Sequence, residues 1–375
     1  MKKIKRLIVF MLCLFIAGLS WHPSVVSAET AGSNKALYIA LGDSITSGYG
    51  LESFVNNDIK NRTSPYNFVT RLEKKLDIKT INFGVEGIDS TVLLKAISKP
   101  LTKEQKDEVV QLKKASLITL SIGGNNIFIP LMNAVNDRVG SGKNIFNADA
   151  LEIQTAVLGL LFDGNGLNKL KENILKGAEI FTGDEKLHES GDFAAIISTI
   201  KSLNPDAKLV VQTIYNPYSF IMPDTVDKAI KSMNAEIIRG SVNGKNYKVA
   251  DVYSAFAKAG EGIQLINADT GKSFDPHPTK KGHEVIYTVV AYAAGNRLPY
   301  NFKSNVVNGK SAATVAAGEL KVTVTPSKGY KLPQTIYLTT GKNSKLALTL
   351  INGSAAVPVA AINGDMTVTA VCPKP

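Results

Sequence analysis

Cysteine and histidine are both scarce in this chain: 375 residues include two of the first and four of the second. No paired-cysteine motif, no H-E-x-x-H and no G-x-x-x-x-G-K-[ST] phosphate loop occurs. "DGNGLNKLKE", from Asp163, opens like a calcium loop, but Leu167 stands where an oxygen ligand is required. Neither metal nor cofactor is therefore expected. Nor is there an apolar run long enough to span a bilayer with confidence. The opening "MKKIKRLIVFMLCLFIAGLSWHPSVVSAET" has a basic start, a short apolar stretch and a small-residue V-S-A site. This is the pattern of a secretory signal peptide, residues 1–28, cut after Ala28, and it predicts a secreted, extracellular protein. An uncleaved anchor is the rival reading, and no stable membrane span is expected.

Cleavage at that site has two consequences. Lys2, Lys3, Lys5 and Arg6 leave with no acid, so the formal charge falls from +11 to +7. Such an excess could favour anionic cell walls or lipid headgroups, but solvated lysine faces are the preferred reading, and no nucleic-acid partner is expected. Cys13 also leaves, and Cys372 alone cannot form an intrachain disulfide. Stability must come from burial, for which a chain that is 44% hydrophobic and 20% charged has ample apolar surface.

What is present is an alternation. "LYIALG" (37–42), "TINFGV" (80–85), "LITLSIGG" (117–124), "LVVQTIYNP" (209–217) and "YKVADVY" (247–253) are short apolar runs rich in β-branched residues. Segments of helical periodicity such as "SPYNFVTRLEKKL" and "AAIISTIKSLNP" separate them, which predicts an α/β fold with a parallel sheet between helices. Residues 127–190 are far longer than one crossover requires and predict a helical insertion, either a lid or substrate wall or plain packing. From Asn301 onward apolar and polar residues alternate between breaks at Gly, Pro and Asn, which predicts a small all-β sandwich over 301–375.

Ser44 lies just past the end of the first predicted strand, in "LYIALGDSITSG". In open α/β sheets that edge carries the chemistry. A serine hydroxyl is a weak nucleophile and needs a base within hydrogen-bond reach. His22 leaves with the leader; His188 sits in the charged stretch "DEKLHES", and His283 lies within an amphipathic helix as a packing or cap residue. His277 remains, in the proline-bracketed loop "SFDPHPTKKG", with Asp275 two residues upstream. Either that carboxylate or a backbone carbonyl could orient its ring. Asp43, next to the serine, reads as a turn-holding residue. Acyl transfer also needs donors for an oxyanion, and "NFGVEGIDST" and "SIGGNNIF" offer glycine N–H groups and asparagine amides at two further strand ends.

"GDSITSG", "NFGVEG", "IGGNN" and "DPHP", in that order and spacing, resemble the four sequence blocks of the SGNH or GDSL family of esterases and lipases, over roughly residues 36–295. The resemblance implies a three-layer α/β/α fold with a five-stranded parallel sheet, flavodoxin-like, and hydrolysis of carboxylic esters through an acyl-enzyme. It implies Ser44 as nucleophile and oxyanion donor, Gly87 and Asn125 as the other oxyanion donors, and His277 as general base and then acid, with no metal. Two positions depart from the family pattern. Asn126 stands where G-x-N-D has an acid, which predicts a looser loop. Phe274 stands three residues before the histidine, where the family acid commonly sits, leaving Asp275 one place late. The tail is similar to β-sandwich repeats of secreted bacterial surface proteins, a module for polysaccharide or cell-wall contact, a spacer or a stabilising cap. Expected substrates are small acyl esters or lipids. An acetylated polysaccharide, or a non-catalytic cell-surface binding role, are the alternatives.

Overall fold

A computed structural model of the chain describes residues 36–54, 64–140, 142–184, 187, 189–268, 273–295, 297–341 and 344–375. The signal-peptide reading of residues 1–28 and the reading of His188 lie outside the described residues.

In chain order the α/β region contains β1 (Leu37–Gly42), α1 (Ser44–Ser47), α2 (Phe68–Leu76), β2 (Lys79–Gly84), α3 (Ser90–Ser98), α4 (Lys103–Leu112), β3 (Leu117–Ser121) and α5 (Gly124–Asn136). It continues with α6 (Ala150–Phe162), α7 (Gly164–Thr182), the short hairpin β4 (Gly183–Asp184) and β5 (Glu189–Ser190), α8 (Asp192–Leu203), β6 (Lys208–Gln212), α9 (Pro223–Gly240), β7 (Lys248–Ala250), α10 (Val252–Ala257) and α11 (Lys280–Gly295). The strands β2-β1-β3-β6-β7, all parallel, form one five-stranded sheet. This is the three-layer α/β/α arrangement that the alternation of elements predicts.

Why the central strands read as continuous apolar runs is visible in their packing. Successive side chains on a strand point to opposite faces. Ile39, Leu41, Ile118, Leu120, Leu209 and Val211 join one core, with α3, α5, α7, α8 and α9. Tyr38, Ala40, Leu117, Val210 and Ala250 join the other, with α2, α10 and α11. A strand covered on both faces has no solvent-facing polar positions to alternate with. The fifth strand is shorter than "YKVADVY" suggests, because Asp251 accepts the Ser254 N–H and starts α10 in the middle of that apolar run. Over 127–190 the predicted insertion is helical: α5, α6 and α7 pack on one another. Asp163, the first residue of the calcium-like stretch, caps α7 by accepting the Gly166 N–H.

Seven strands form the remainder: β8 (Phe302–Val307), β9 (Gly309–Ala316), β10 (Glu319–Pro326), β11 (Thr335–Thr340), β12 (Ser344–Thr349), β13 (Ser354–Pro358) and β14 (Met366–Val371). They make two sheets, β13-β10-β9 and β12-β11-β14-β8, antiparallel except for the β14–β8 pair. Leu320, Val322, Val324, Ile336, Leu338 and Val368 fill the space between them. Cys372 is buried there and unpaired. The β region is seated on the helices rather than tethered to them. Val359 and Ala360 share a core with Val285, Ile286, Val289 and Val290 of α11, and the Lys281 ammonium donates to the Ile362 carbonyl at 3.0 Å.

Candidate active site

Four loops converge at the carboxyl edge of the sheet, and each has a local reason for its shape. The first follows β1. Gly42 has φ +146°, and a Cβ there would stand 2.1 Å from the Ser121 carbonyl oxygen, so no side chain fits between the two neighbouring strands. Asp43 then caps α1, its Oδ1 accepting from the Ile45 N–H at 3.1 Å and from the Ser121 hydroxyl at 2.8 Å. Burial pushes its carboxyl up to about 6, against those two hydrogen bonds. Thr46 extends the tie: its hydroxyl meets Ser121 Oγ at 2.7 Å, and its carbonyl accepts from the Asn67 and Asn82 amides, each at 2.9 Å. Ser44 is thereby fixed to β2, β3 and α2 at once. As the first residue of α1 its N–H has no intrahelical acceptor and points out of the helix start.

The histidine loop, residues 274–278, is fastened on both sides of its acid. Tyr218, fully buried, donates to the Phe274 carbonyl at 2.9 Å, and Tyr215 donates to the Pro276 carbonyl at 2.7 Å. Burial first, and the nearby carboxylates second, hold both phenols well above their usual range, so both remain donors. Phe274, at the place where the family acid commonly sits, is fully buried and stacked on the Tyr218 ring with centroids 4.5 Å apart. Asp275 turns the other way. Its Oδ1 accepts from the His277 backbone N–H at 3.1 Å and lies 2.5 Å from His277 Nδ1. The first contact is the local turn an aspartate makes two residues ahead of itself, and the intervening proline sets it. Burial would raise the Asp275 pKa, but the bonds and charge of His277 and the Asn267 amide outweigh it and hold the carboxyl below its usual value. With Nδ1–H donated to Asp275, Nε2 is left as an acceptor, 2.9 Å from Ser44 Oγ. The Tyr49 ring lies against the imidazole at 4.7 Å between centroids.

The other two loops carry the expected oxyanion donors. Gly87 has φ +71°, a left-handed conformation, and an added Cβ would meet nothing within 4 Å, so backbone geometry rather than crowding favours glycine there. Asn125, in the first turn of α5, has one amide N–H tied to the Ile88 carbonyl at 2.9 Å, which leaves the second for a ligand. The loop at Asn126 is not loosened by the missing acid. Its Oδ1 accepts from the Ser90 N–H at 3.1 Å and its Nδ2 donates to Ser90 Oγ at 2.8 Å. Ser90 Oγ in turn donates to Asp192 at 3.0 Å. An amide can both donate and accept, which a carboxylate cannot, and here both ends are used.

The structure thus brings Ser44, His277 and Asp275 into one hydrogen-bonded row, with Gly87 and Asn125 on adjacent loops of the same edge. His283 stays out of it: fully buried on α11, it stacks on Phe68, and burial lowers its pKa to about 3. Sequence reasoning missed Tyr215, Tyr218 and Asn267. Nothing near them in the chain signals a link to residues 274–277.

A family model described as GDSL-like lipase/acylhydrolase matches residues 40–285. The chain belongs to the GDSL-like lipase/acylhydrolase family. It is similar to a Bacillus subtilis (strain 168) protein, YpmR, described as uncharacterized, with 23% identity over 266 residues, 69% of this chain and 81% of that one. Among solved structures it is similar to phospholipase A1 from Streptomyces albidoflavus NA297, at 19% identity and a TM-score of 0.44, over 70% of this chain and 100% of that one. An extracellular lipase from Streptomyces rimosus has 18% identity and a TM-score of 0.44, over 69% of this chain and 99% of that one. Membership makes the protein a GDSL-type ester hydrolase. Among the described residues no helix is long and apolar enough to cross a membrane, and no group of three or more His, Cys, Asp or Glu could hold a metal ion.

Proposed function

We propose that this GDSL hydrolase cleaves carboxylic esters with Ser44 as nucleophile, His277 as general base and then acid, and Asp275 as the group that orients the ring. One observation carries the reading: the Ser44 hydroxyl lies 2.9 Å from His277 Nε2 while the opposite ring nitrogen faces a carboxylate. That row is the arrangement in which an imidazole can remove a serine proton as the oxygen attacks. Ser44 Oγ bonds to the ester carbonyl carbon, and its proton passes to Nε2. The oxyanion that forms meets the Ser44 and Gly87 N–H groups and the Asn125 amide. Collapse breaks the bond to the alcohol, which leaves with the proton from His277. Water then attacks the acyl-serine, His277 accepts its proton and returns it to Ser44, and the carboxylic acid departs. Hydrogen bonds aimed at developing charge supply much of such a rate enhancement. The amino-terminal pattern supports export of the enzyme to the cell exterior, where acyl lipids and small esters are its substrate class.

The test is hydrolysis of p-nitrophenyl esters from acetate to palmitate by the protein without residues 1–28, beside its Ser44→Ala variant. Activity that vanishes in the variant is expected, with the preferred chain length separating acylhydrolase from O-acetyl esterase. Hydrolysis surviving Ser44→Ala would sink the mechanism, and a folded wild type inert on the whole ladder would favour a binding protein.

A further inference from the structure

The acid of this site stands one residue closer to its histidine than the family pattern places it, and its second oxygen is not left to solvent. Asn267 donates its side-chain amide to Asp275 Oδ2 at 3.0 Å. The same residue donates its backbone N–H to the His277 carbonyl at 2.9 Å. Its position is set by a short antiparallel bridge, Ile266 with Pro278, closed on the other side by the Thr279 N–H on the Leu265 carbonyl at 2.9 Å. Gly50 covers the pair: a Cβ built on it would stand 3.9 Å from Asn267 Nδ2, Asp275 Oδ2 and the His277 Cβ. Asp275 Oδ1 is already shared between the His277 N–H and the ring. Rotation about the Cβ–Cγ bond carries both oxygens together, so the bond on Oδ2 adds to the restraint that the two contacts on Oδ1 impose. We propose that Asn267 is a positioning residue of the catalytic row, fixing the plane of the Asp275 carboxylate so that the shifted acid presents Oδ1 to His277. The inference rests on the catalytic reading of Asp275 given above.

The chemistry of the donor matters as much as its place. An amide N–H favours the ionised carboxylate without adding charge to the site. A second carboxylate at 267 would instead put like charge beside Asp275 and further negative charge near the ring. The other ionisable groups facing this site are Asp43 on the nucleophile turn, Tyr49 against the imidazole, His283 on α11, and Tyr215 and Tyr218 after β6. The Lys280–Glu52 ion pair stands beside the loop. All are unchanged in the variants below, so a difference between variants reports on position 267.

The experiment measures kcat, KM and the pH profile of kcat/KM on a soluble short-chain ester for Asn267→Ala, Asn267→Asp, Asp275→Asn and the Asn267→Ala, Asp275→Asn double variant. Misplacing a catalytic group by under an ångström lowers rate more than binding. Asn267→Ala is therefore expected to lower kcat about tenfold with KM within about twofold of wild type. Asn267→Asp, nearly the same size and able to make the same backbone bonds, is expected to move the acid limb upward by roughly half to one pH unit, because added negative charge favours the protonated ring. In the Asp275→Asn background the Asn267→Ala loss is expected to disappear, since the two act as a unit. Unchanged kcat and acid limb in both Asn267 variants, with Asp275→Asn crippled, would overturn the inference and leave the catalytic reading standing. So would an Asn267→Ala loss that persists undiminished without Asp275. Wild-type kcat in Asp275→Asn would overturn the catalytic reading itself. Near-ultraviolet circular dichroism confirms folding of each variant, and Asn267→Asp carries the test should Asn267→Ala not fold.

Discussion

Between Leu37 and Gly295 the protein buries Asp43, Glu108, His277 and His283 among its apolar side chains, whereas from Phe302 onward Thr340 is the one polar or charged side chain among the described residues that is buried. The β region satisfies its backbone in regular ladders and faces inward with Leu, Val, Ile and Ala. The α/β region spends buried polarity at a strand edge, where irregular loops need side chains to hold them. Burying an ionisable group is unfavourable unless it is hydrogen-bonded, so such groups collect where geometry has to be fixed. The contrast assigns chemistry to one region and support to the other, and each half of that division can be tested.

The largest effect belongs to the proposed catalytic row. Ser44→Ala and His277→Ala should each lower kcat on the order of 10⁴-fold or more, and the double variant should be scarcely worse than either, because removing one member already disables the proton transfer. Steady-state kinetics on a soluble ester checks this. A double variant far below both singles would mean that the two residues act independently.

Much of this row was legible before any coordinates. Ser44 and His277 stand in short motifs whose glycines and prolines force turns, and the strand before Ser44 is apolar on both faces. Asp275 was legible as a candidate only, since its bond to Nδ1 depends on a turn that Pro276 sets. Tyr215, Tyr218 and Asn267 were not legible. They reach the histidine loop from residues 56 to 61 places away, or across a two-residue bridge, and their hydrogen bonds to backbone carbonyls leave no periodic trace in the sequence. The same limit applies at Asn126, where a missing acid suggested a loose loop. Its compensation lies in Ser90, 36 residues earlier.

The second prediction probes the supporting half. Leu338, fully buried on β11, packs in the core of the β sandwich. Leu338→Ala should destabilise that region by about 2–5 kcal/mol through lost contacts and a cavity. Well below the unfolding transition kcat should not change. Thermal unfolding read alongside activity decides the matter, and a parallel fall in kcat in folded protein would show that the β region shapes the site.

Glu108 is the exception inside the α/β region, and a third prediction follows from it. It is 2% exposed on α4, and neither carboxyl oxygen has a hydrogen-bond partner among the described residues. Burial raises its pKa to about 8. The native state therefore holds a proton from the usual value of 4.5 up to about 8 that the unfolded chain has released. Stability should fall as pH rises through that window and reach its full deficit above it. Glu108→Gln removes the titration, so urea midpoints of variant and wild type should coincide near pH 4 and differ by about 1–3 kcal/mol in the variant's favour at pH 8.5. Equal stability at the higher pH would mean that water reaches the carboxylate.

The smallest effect should come from the seam between the two regions. Lys258, which caps the end of α10, pairs with Glu319 on β10 at 2.8 Å, with side chains 42% and 35% exposed. Exposed ion pairs gain little, because water screens them and two long side chains lose freedom to hold one geometry. Lys258→Ala should change stability by no more than about 0.5 kcal/mol. Val359, by contrast, is 1% exposed against the apolar face of α11. Replacing it by Asp would bury a charge against that face, so Val359→Asp should separate the regions where Lys258→Ala does not. Calorimetry distinguishes the two, as one coupled transition in the lysine variant and two separate transitions in the valine variant. Equal effects of the two substitutions would mean that charge rather than apolar burial seats the β region. Deleting residues 302–375 would uncover the same helix face. The truncated enzyme should then hydrolyse small esters at low temperature but aggregate on warming, because Val285, Ile286, Val289 and Val290 would lose Val359 and Ala360 as packing partners.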